Sequence, residues 1–291
     1  MKFISKFILI IIGFTLISAL PALVVNAVQV STTDKGVGSI FKPYFTTVYD
    51  NVVLLFQPEN WVYQGFRKTY PLFPMFWDRY SYSMKVFVLS LIIALALAFL
   101  FMITIQLAPK KVRKLLISVF TILESLPDVF IIISLQLLVI LYFKRTGVLL
   151  AQVAVFQEDI YTLPVACLSI IPTFLLLRTV LFFIQEEESK MYVDLAKVKG
   201  LSNVRILLIH TFRNVLYSLF YRSKLIFSFM LSNLFIIEVL FNMDGALQFL
   251  TRARGAEFII AATLIFIPFY LFFSLTEKFV LQFIGESGEA A

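Results

Sequence analysis

Charged side chains inside long apolar runs are rare and costly, and three of them lie in two neighbouring runs of this sequence. Glu124 and Asp128 lie in the run 115–143, and Arg178 lies in the run 160–184. Glu124 and Asp128 are four residues apart, so we expect them on one face of a helix. Two interpretations are open. The acids line a pathway that attracts a cationic or amine-bearing solute, or they pair structurally with Arg178.

Other reactive side chains are few. His210 is the single histidine and Cys167 the single cysteine, so neither an internal disulfide nor a zinc site with several N or S ligands is expected. The sequence contains no GxxxxGK[ST] loop, which excludes ATP binding by that route. We therefore predict no catalytic residue, no metal and no cofactor on this chain, and we disfavour a membrane enzyme.

The elements that position these groups are predicted to be membrane-spanning helices. Hydrophobic residues make up 60% of the 291 residues and charged residues 15%, and the mean hydropathy is +0.92. A soluble domain has roughly 45–50% apolar and about 25% charged residues. About 20 apolar residues cross the hydrocarbon as a helix. Runs of that length occur at 7–28, 86–108, 115–143, 160–184, about 216–241 and 258–276. The fold class predicted is all-α, integral to the membrane, with six transmembrane helices.

Basic residues predict the orientation of these helices. The net charge is +7, and the tightest basic cluster, KKVRK at 110–114, lies between the second and third runs. Lys and Arg are enriched in cytoplasmic loops, so we place this cluster and both termini in the cytoplasm. The basic residues are scattered between apolar runs, which disfavours a nucleic-acid partner. The predicted organisation begins with an N-terminal transmembrane helix at 1–28 and an extracellular segment at 29–85, which is rich in aromatic residues and proline. A five-helix core at 86–281 follows and includes a cytoplasmic segment at 185–215. The chain ends in a cytoplasmic tail at 282–291.

The most polar stretch, 185–222, predicts two helices that meet at a corner. Residues 189–199 contain no Gly or Pro, and Gly200 is a suitable helix stop because glycine tolerates a left-handed conformation. Ser202 or Asn203 can cap the next helix. Two interpretations fit this pattern: an ordinary solvated loop, or an insert for a partner's groove.

The amino-acid sequence of this stretch resembles a known signature. YVDLAKVKGLS at 192–202, followed by RILLIHTFRN at 205–214, is similar to the EAA signature of binding-protein-dependent ABC transporter permeases. The form is that of the dipeptide, oligopeptide and nickel permease family. Glu186 falls where that family carries an acid, eight residues after a matching arginine, and EVLFNMDG at 238–245 resembles a second family block. The close likeness covers 178–258, and the rest matches in layout.

The resemblance implies a type I ABC importer permease, which forms half of a translocation pathway for a small solute, with peptides the expected class. In such permeases the corner is the coupling helix, which docks in a cleft of a cytoplasmic ATPase. The residues carried over to this coupling role are Glu186, Asp194, Ala196, Lys197, Lys199, Gly200, Leu201, Ser202 and Arg205. The pore or gate candidates are Glu124, Asp128, Arg178, Asn233 and Glu238.

Among the coupling residues, Ala196 and Gly200 are expected to allow close backbone approach, and Leu201 to enter the partner's groove. Lys197, Lys199 and Arg205 are expected to contact the partner's surface.

The resemblance also implies a set of partners in the cytoplasmic membrane of a bacterium. They are a second permease subunit, expected to be a paralogue, two ATPase subunits that hold ATP and Mg, and a lipid-anchored or periplasmic substrate-binding protein. The chain departs from the family at Ser218, where a proline is usual, and at family glycines replaced by Lys224, Ser228, Ser232 and Asn233. These departures mark a divergent member of the family, so peptides are the expected class but no particular substrate is carried over. A secondary transporter and a non-transporting regulator derived from a permease remain alternatives.

Overall fold

The computed structural model describes residues 2–32, 38–64, 68–153 and 159–288. Within them, six helical stretches are long and apolar enough to cross a membrane: Ser5–Val28, Met75–Leu107, Asp128–Thr146, Thr162–Glu188, Arg222–Leu240 and Ala256–Leu275. Helices satisfy their own backbone hydrogen bonds, which is why they suit the hydrocarbon region. The described residues thus fit an all-α, multi-pass membrane protein, as predicted.

Twelve α-helices are described. They are α1 Lys2–Ser18, α2 Leu20–Thr32, α3 Gly38–Leu55, α4 Met75–Leu107, α5 Lys110–Glu124, α6 Asp128–Thr146, α7 Thr162–Glu188, α8 Met191–Val198, α9 Asn203–Arg205, α10 Phe212–Leu240, α11 Ala246–Arg252 and α12 Ala256–Gly288. A π-helical turn, Ile206–Thr211, joins α9 to α10, and a 3₁₀ turn covers Pro58–Asn60. Strands β1 Val62–Gln64 and β2 Thr69–Pro71 pair antiparallel, with Tyr63 opposite Tyr70.

The third predicted span, 115–143, is wrong as a single helix. The chain breaks at Pro127, where α5 ends at Glu124 and α6 begins at Asp128. Proline has no N–H to continue the hydrogen-bond ladder, and it disfavours helical geometry in the residue before it. Glu124 and Asp128 therefore lie on two different helices, and the expectation that they share one helix face is also wrong.

Two other boundaries differ from the prediction. The first apolar run is divided into α1 and α2 around Ala19, and α4 begins at Met75, eleven residues before the expected start at 86. The aromatic run MFWDRYSY at 75–82, which the prediction assigned to the segment at 29–85, is thus the first part of α4. Before Met75, the described residues of the segment predicted to be extracellular include the end of α2, α3, the 3₁₀ turn and the paired strands β1 and β2.

The chain divides into two compact units. The first comprises Met1–Tyr82 and Asp244–Ser274, and the second comprises Ser83–Met243 and Leu275–Ala291. In the first unit, the rings of Phe76 and Phe249 lie 5.7 Å apart, and the guanidinium of Arg79 lies 5.1 Å from the ring centre of Phe249. Arg79 also donates to Asp244 at 2.8 Å, so the cation joins α4 to the segment before α11.

The second unit is held by an apolar core between α4, α7 and α10. Its buried members include Met102, Leu177, Ile184, Val215 and Ile226, and the partly buried Leu116 and Phe120 of α5 pack against it. Burying one such side chain stabilises a fold by about 1.5–3 kcal/mol relative to water. This core holds the ends of α7 and α10, between which the polar segment 189–211 lies.

Gly255 provides a stability prediction within the first unit. Its φ is +57°, and a Cβ at this position would lie 2.8 Å from Oδ1 of the buried Asn51, whose amide donates to Ser18. Gly147 has a similar φ of +70° but open space around it, so it is a matched control. We expect Gly147→Ala to cost about 1 kcal/mol and Gly255→Ala about 1–3 kcal/mol more. Thermal unfolding of the purified chain in detergent measures both, and equal melting temperatures would contradict the account.

Candidate functional site

The corner predicted at Gly200 is present and has a defined geometry. Gly200 adopts φ +77°, and two hydrogen bonds close the end of α8. The N–H of Leu201 donates to the carbonyl of Ala196 at 3.2 Å, and the N–H of Gly200 donates to the carbonyl of Lys197 at 2.9 Å. This is the Schellman pattern, in which a left-handed residue ends a helix and satisfies its last carbonyls. The prediction of a helix stop at Gly200 is confirmed.

The chain restarts as a helix directly after the corner. The Oγ of Ser202 accepts from the N–H of Arg205 at 3.4 Å, so Ser202 acts as the predicted cap of α9. The π-helical turn follows, and Thr211 at its end has a buried Oγ1 with no hydrogen-bond partner among the described residues. Single π-helical turns inside helices are frequent at functional sites.

The inner face of α8 packs against the segment that follows it. Val193 and Ala196 are buried with Ile206, and Tyr192 and Leu201 cover this small cluster. Ala196 and Leu201 were expected to meet a partner. In the structure both lie against the corner itself, where they fix α8 to the start of the next helix.

The outer face of α8 carries an apolar stripe that the sequence reasoning did not identify. Met191, Leu195 and Val198 are 85%, 62% and 85% exposed. Their spacing of four and three residues places them on one side of the helix. We call these three residues the α8 stripe. Its signal was present in the sequence as an i, i+4, i+7 pattern, but the pattern alone does not say whether such a face is covered by the chain itself.

Charged side chains border the α8 stripe. Asp194 and Lys197 form an ion pair at 3.3 Å and both are largely exposed, so this pair adds little stability. Lys199 and Arg205 are exposed as well. An exposed apolar patch rimmed by polar residues is typical of a protein interaction site.

A buried acid connects α8 to two long helices. The carboxylate of Glu187, near the end of α7, accepts from the Tyr192 hydroxyl at 2.6 Å and from the Asn214 amide at 3.3 Å, and it forms an ion pair with Lys190. The Asn214 amide also donates to the Tyr192 hydroxyl at 3.2 Å. These contacts join α7, α8 and α10 through one carboxylate.

The contact with Glu187 raises the pKa of Lys190, and burial together with a hydrogen bond to Glu187 raises the pKa of Tyr192. Both groups therefore keep their protons through the neutral range. The sequence reasoning chose Glu186, which is exposed, rather than its neighbour Glu187. Three consecutive glutamates gave no means to tell which one points inward.

Glu124 and Arg178 form an ion pair, with Nη1 of Arg178 2.8 Å from Oε1 of Glu124. The contact that the pairing interpretation expects is therefore present for Glu124. The Arg178 side chain is 72% exposed and that of Glu124 18%, so the pair lies at the edge of the second unit rather than in its core. Asp128 instead begins α6, where the positive end of the helix dipole favours a carboxylate.

The Glu124–Arg178 pair can be tested by reversing its charges. We expect Glu124→Arg or Arg178→Glu alone to lower the yield of folded chain, because each leaves two like charges beside apolar helices. The double exchange is expected to restore most of the yield. Asp128→Asn serves as the control, because Asp128 is not part of the pair. The monodisperse fraction on size exclusion measures all four variants, and failure of the double exchange to rescue would show that the pair carries no structural role.

The two remaining pore candidates are buried in the second unit. Glu238 is fully buried, and the Ser83 hydroxyl donates to its Oε1 at 2.5 Å, which links α4 to α10. The Asn233 amide donates to the Phe229 carbonyl at 3.3 Å, while its buried Oδ1 has no hydrogen-bond partner among the described residues. Asn233 faces a narrow crevice shared with apolar residues of α6 and α7, namely Ile132, Cys167, Leu168, Ile171 and Pro172.

Among the described residues, no group of three or more His, Cys, Asp or Glu is placed to hold a metal ion.

A scan against protein-family models and a search of curated proteins found no match to this chain. The arrangement that the geometry offers for function is therefore the corner: an exposed α8 stripe, fixed from behind by the Glu187 contacts and the turn at Gly200.

Proposed function

We propose that this chain is the membrane-spanning permease subunit of an ATP-driven importer of small solutes, with peptides the first class to test. The observation that carries the proposal is the α8 stripe. Three apolar side chains are exposed on a short helix whose opposite face is fully used for internal packing. Such a rigid, one-sided helix suits the groove of a folded partner. The resemblance of 192–214 to the permease signature supports an ATPase as that partner.

The contacts behind α8 explain how a docked partner acts on the membrane helices. Glu187 joins α8 to the end of α7 and, through Asn214, to the first turn of α10. Since α7 and α10 pack on each other through the core of the second unit, displacement of α8 moves both helices. Closure of an ATPase dimer that holds α8 would thus be transmitted to the transmembrane pathway. The ATP and Mg belong to the partner.

Six spans provide half of such a pathway, so the proposal includes a second permease subunit, expected to be a paralogue. It also includes two ATPase subunits and a substrate-binding protein outside the cell. In this arrangement the α8 corner and both termini lie in the cytoplasm, and the chain sits in the cytoplasmic membrane of a bacterium.

Co-purification tests the proposal. The tagged full-length chain, extracted from its native membranes, is expected to retain an ATPase with measurable Mg-ATP hydrolysis. Gly200→Asp and deletion of 196–202 are expected to remove that activity, because both destroy the turn that holds α8. An ATPase that stays bound to the deletion variant would overturn the coupling role. A bound ATPase that peptides do not stimulate would move the test to other small solutes, and one that no solute stimulates would favour a non-transporting regulator.

A further inference from the structure

Helix α5 has a composition that its position between two spans does not explain. It is 15 residues long, which is too short to cross the hydrocarbon, and it begins with Lys110, Lys111, Arg113 and Lys114. None of its residues is buried. One side packs on the apolar core of the second unit through Leu116 and Phe120, and the ring of Phe120 lies 5.0 Å from that of Phe101.

The remainder of α5 presents two further faces. Val112, Leu115, Val119 and Ile122 follow one another at intervals of three, four and three residues, and all four are exposed, Leu115 to 64%. We call them the α5 stripe. On the other side of the helix from the packed face, Lys110, Lys111 and Lys114 are exposed together. The helix thus has one protein-facing, one apolar and one basic face.

We propose that α5 lies in the membrane–water interface, with the α5 stripe in the acyl region and its lysines on anionic phospholipid headgroups. An apolar face beside a Lys-rich face is the composition of interfacial helices. The charges of α5 also favour anionic phospholipid. The helix carries four cations and a single acid, Glu124, which is already paired with Arg178. Cations at the N-terminal end of a helix are disfavoured by its dipole, and headgroup phosphates would offset that cost.

The placement has a structural consequence. The Glu124–Arg178 pair fixes the end of α5 to α7, and Pro127 then redirects the chain into α6. An interfacial α5 would therefore set the depth at which α6 enters the bilayer. This inference concerns the membrane surface and does not rest on coupling to an ATPase.

Spin-label accessibility tests the placement directly. Nitroxides are attached at Leu115→Cys and Ser118→Cys in a Cys167→Ala background, in the full chain reconstituted in vesicles that contain phosphatidylglycerol. We expect the label at 115 to favour collisions with oxygen, which dissolves in the acyl region, and the label at 118 to favour a water-soluble nickel chelate. Water access at both positions would overturn the proposal. So would exclusion of both reagents at 115, which would mean that another protein covers the α5 stripe.

Removal of lysines tests whether α5 binds anionic headgroups, and the accessibility of the spin label at position 115 is again the measurement. Lys111→Gln with Lys114→Gln is expected to lower the partition of the 115 label into the bilayer about fivefold for each lysine removed. Lys144→Gln with Arg145→Gln removes two exposed cations from the far end of α6 and is expected to leave the 115 label unchanged. The preference of the 115 label for oxygen is also expected to weaken in pure phosphatidylcholine. If the label at 115 prefers oxygen equally with and without phosphatidylglycerol, the role assigned to anionic headgroups is overturned. The same holds if it prefers oxygen equally in the Lys111/Lys114 variant and the Lys144/Arg145 variant.

Discussion

Replacement of Leu195 or Val198 by glutamate is expected to remove the ATP hydrolysis that co-purifies with the chain while its fold stays intact. Both side chains are exposed, so the substitutions leave no cavity and bury no charge in the chain itself. In a complex the same positions would be covered by apolar partner surface, where an unpaired carboxylate is strongly disfavoured. Loss of one central contact costs about 2–4 kcal/mol, or about 30- to 1000-fold in affinity.

The measurement is the Mg-ATPase activity of affinity-purified chain, normalised to the amount of chain recovered. Val148→Glu is the matched control, because Val148 is 55% exposed and follows the end of α6 rather than belonging to α8. We expect the Val148 variant to retain full activity. If Leu195→Glu retains it as well, the α8 stripe does not contact the ATPase.

Replacement of Glu187 by alanine is the second change with a large expected effect. It removes the shared acceptor of Tyr192, Lys190 and Asn214 and leaves a gap between α7, α8 and α10. Loss of a partly buried, charge-assisted network typically costs about 3 kcal/mol. The α8 corner should therefore open on its own more often, by about 100-fold, without unfolding of the long helices.

Hydrogen exchange measured by mass spectrometry on peptides within 189–211 reports this opening. Glu186→Ala removes the same charge one residue away from an exposed position, so its exchange should match that of the unsubstituted chain. Glu187→Gln keeps an acceptor of similar shape but loses the ion pair, and an intermediate rate is expected. Equal exchange in the Glu186 and Glu187 variants would contradict the bridging role of Glu187.

Much of the architecture could be predicted because the physics involved is local. Apolar runs of sufficient length have to be helical in lipid, which is why four of the six spans were predicted to within about six residues of their observed limits. The stop at Gly200 and the cap at Ser202 follow from the left-handed preference of glycine and the hydrogen bonding of a serine hydroxyl. These features depend on a few neighbouring residues only.

One error comes from reading hydropathy without the local effect of proline, and the others come from longer-range packing. Hydropathy alone merged α5 with α6, because the apolar residues on both sides of Pro127 hide the break that proline imposes. The sequence also offered no way to choose Glu187 over Glu186, since that choice depends on how α7 is rotated against α10. The α8 stripe escaped notice for the same reason, because exposure is a property of the folded corner.

Photo-crosslinking from the α8 stripe tests the central claim most directly. Benzoylphenylalanine in place of Met191, which is 85% exposed, is irradiated in intact cells that express the full chain. The account predicts a crosslink to a soluble subunit whose sequence contains a GxxxxGK[ST] phosphate loop, and no such product from the same probe at Val148. Crosslinks from position 191 only to lipid, or only to this chain itself, would contradict it.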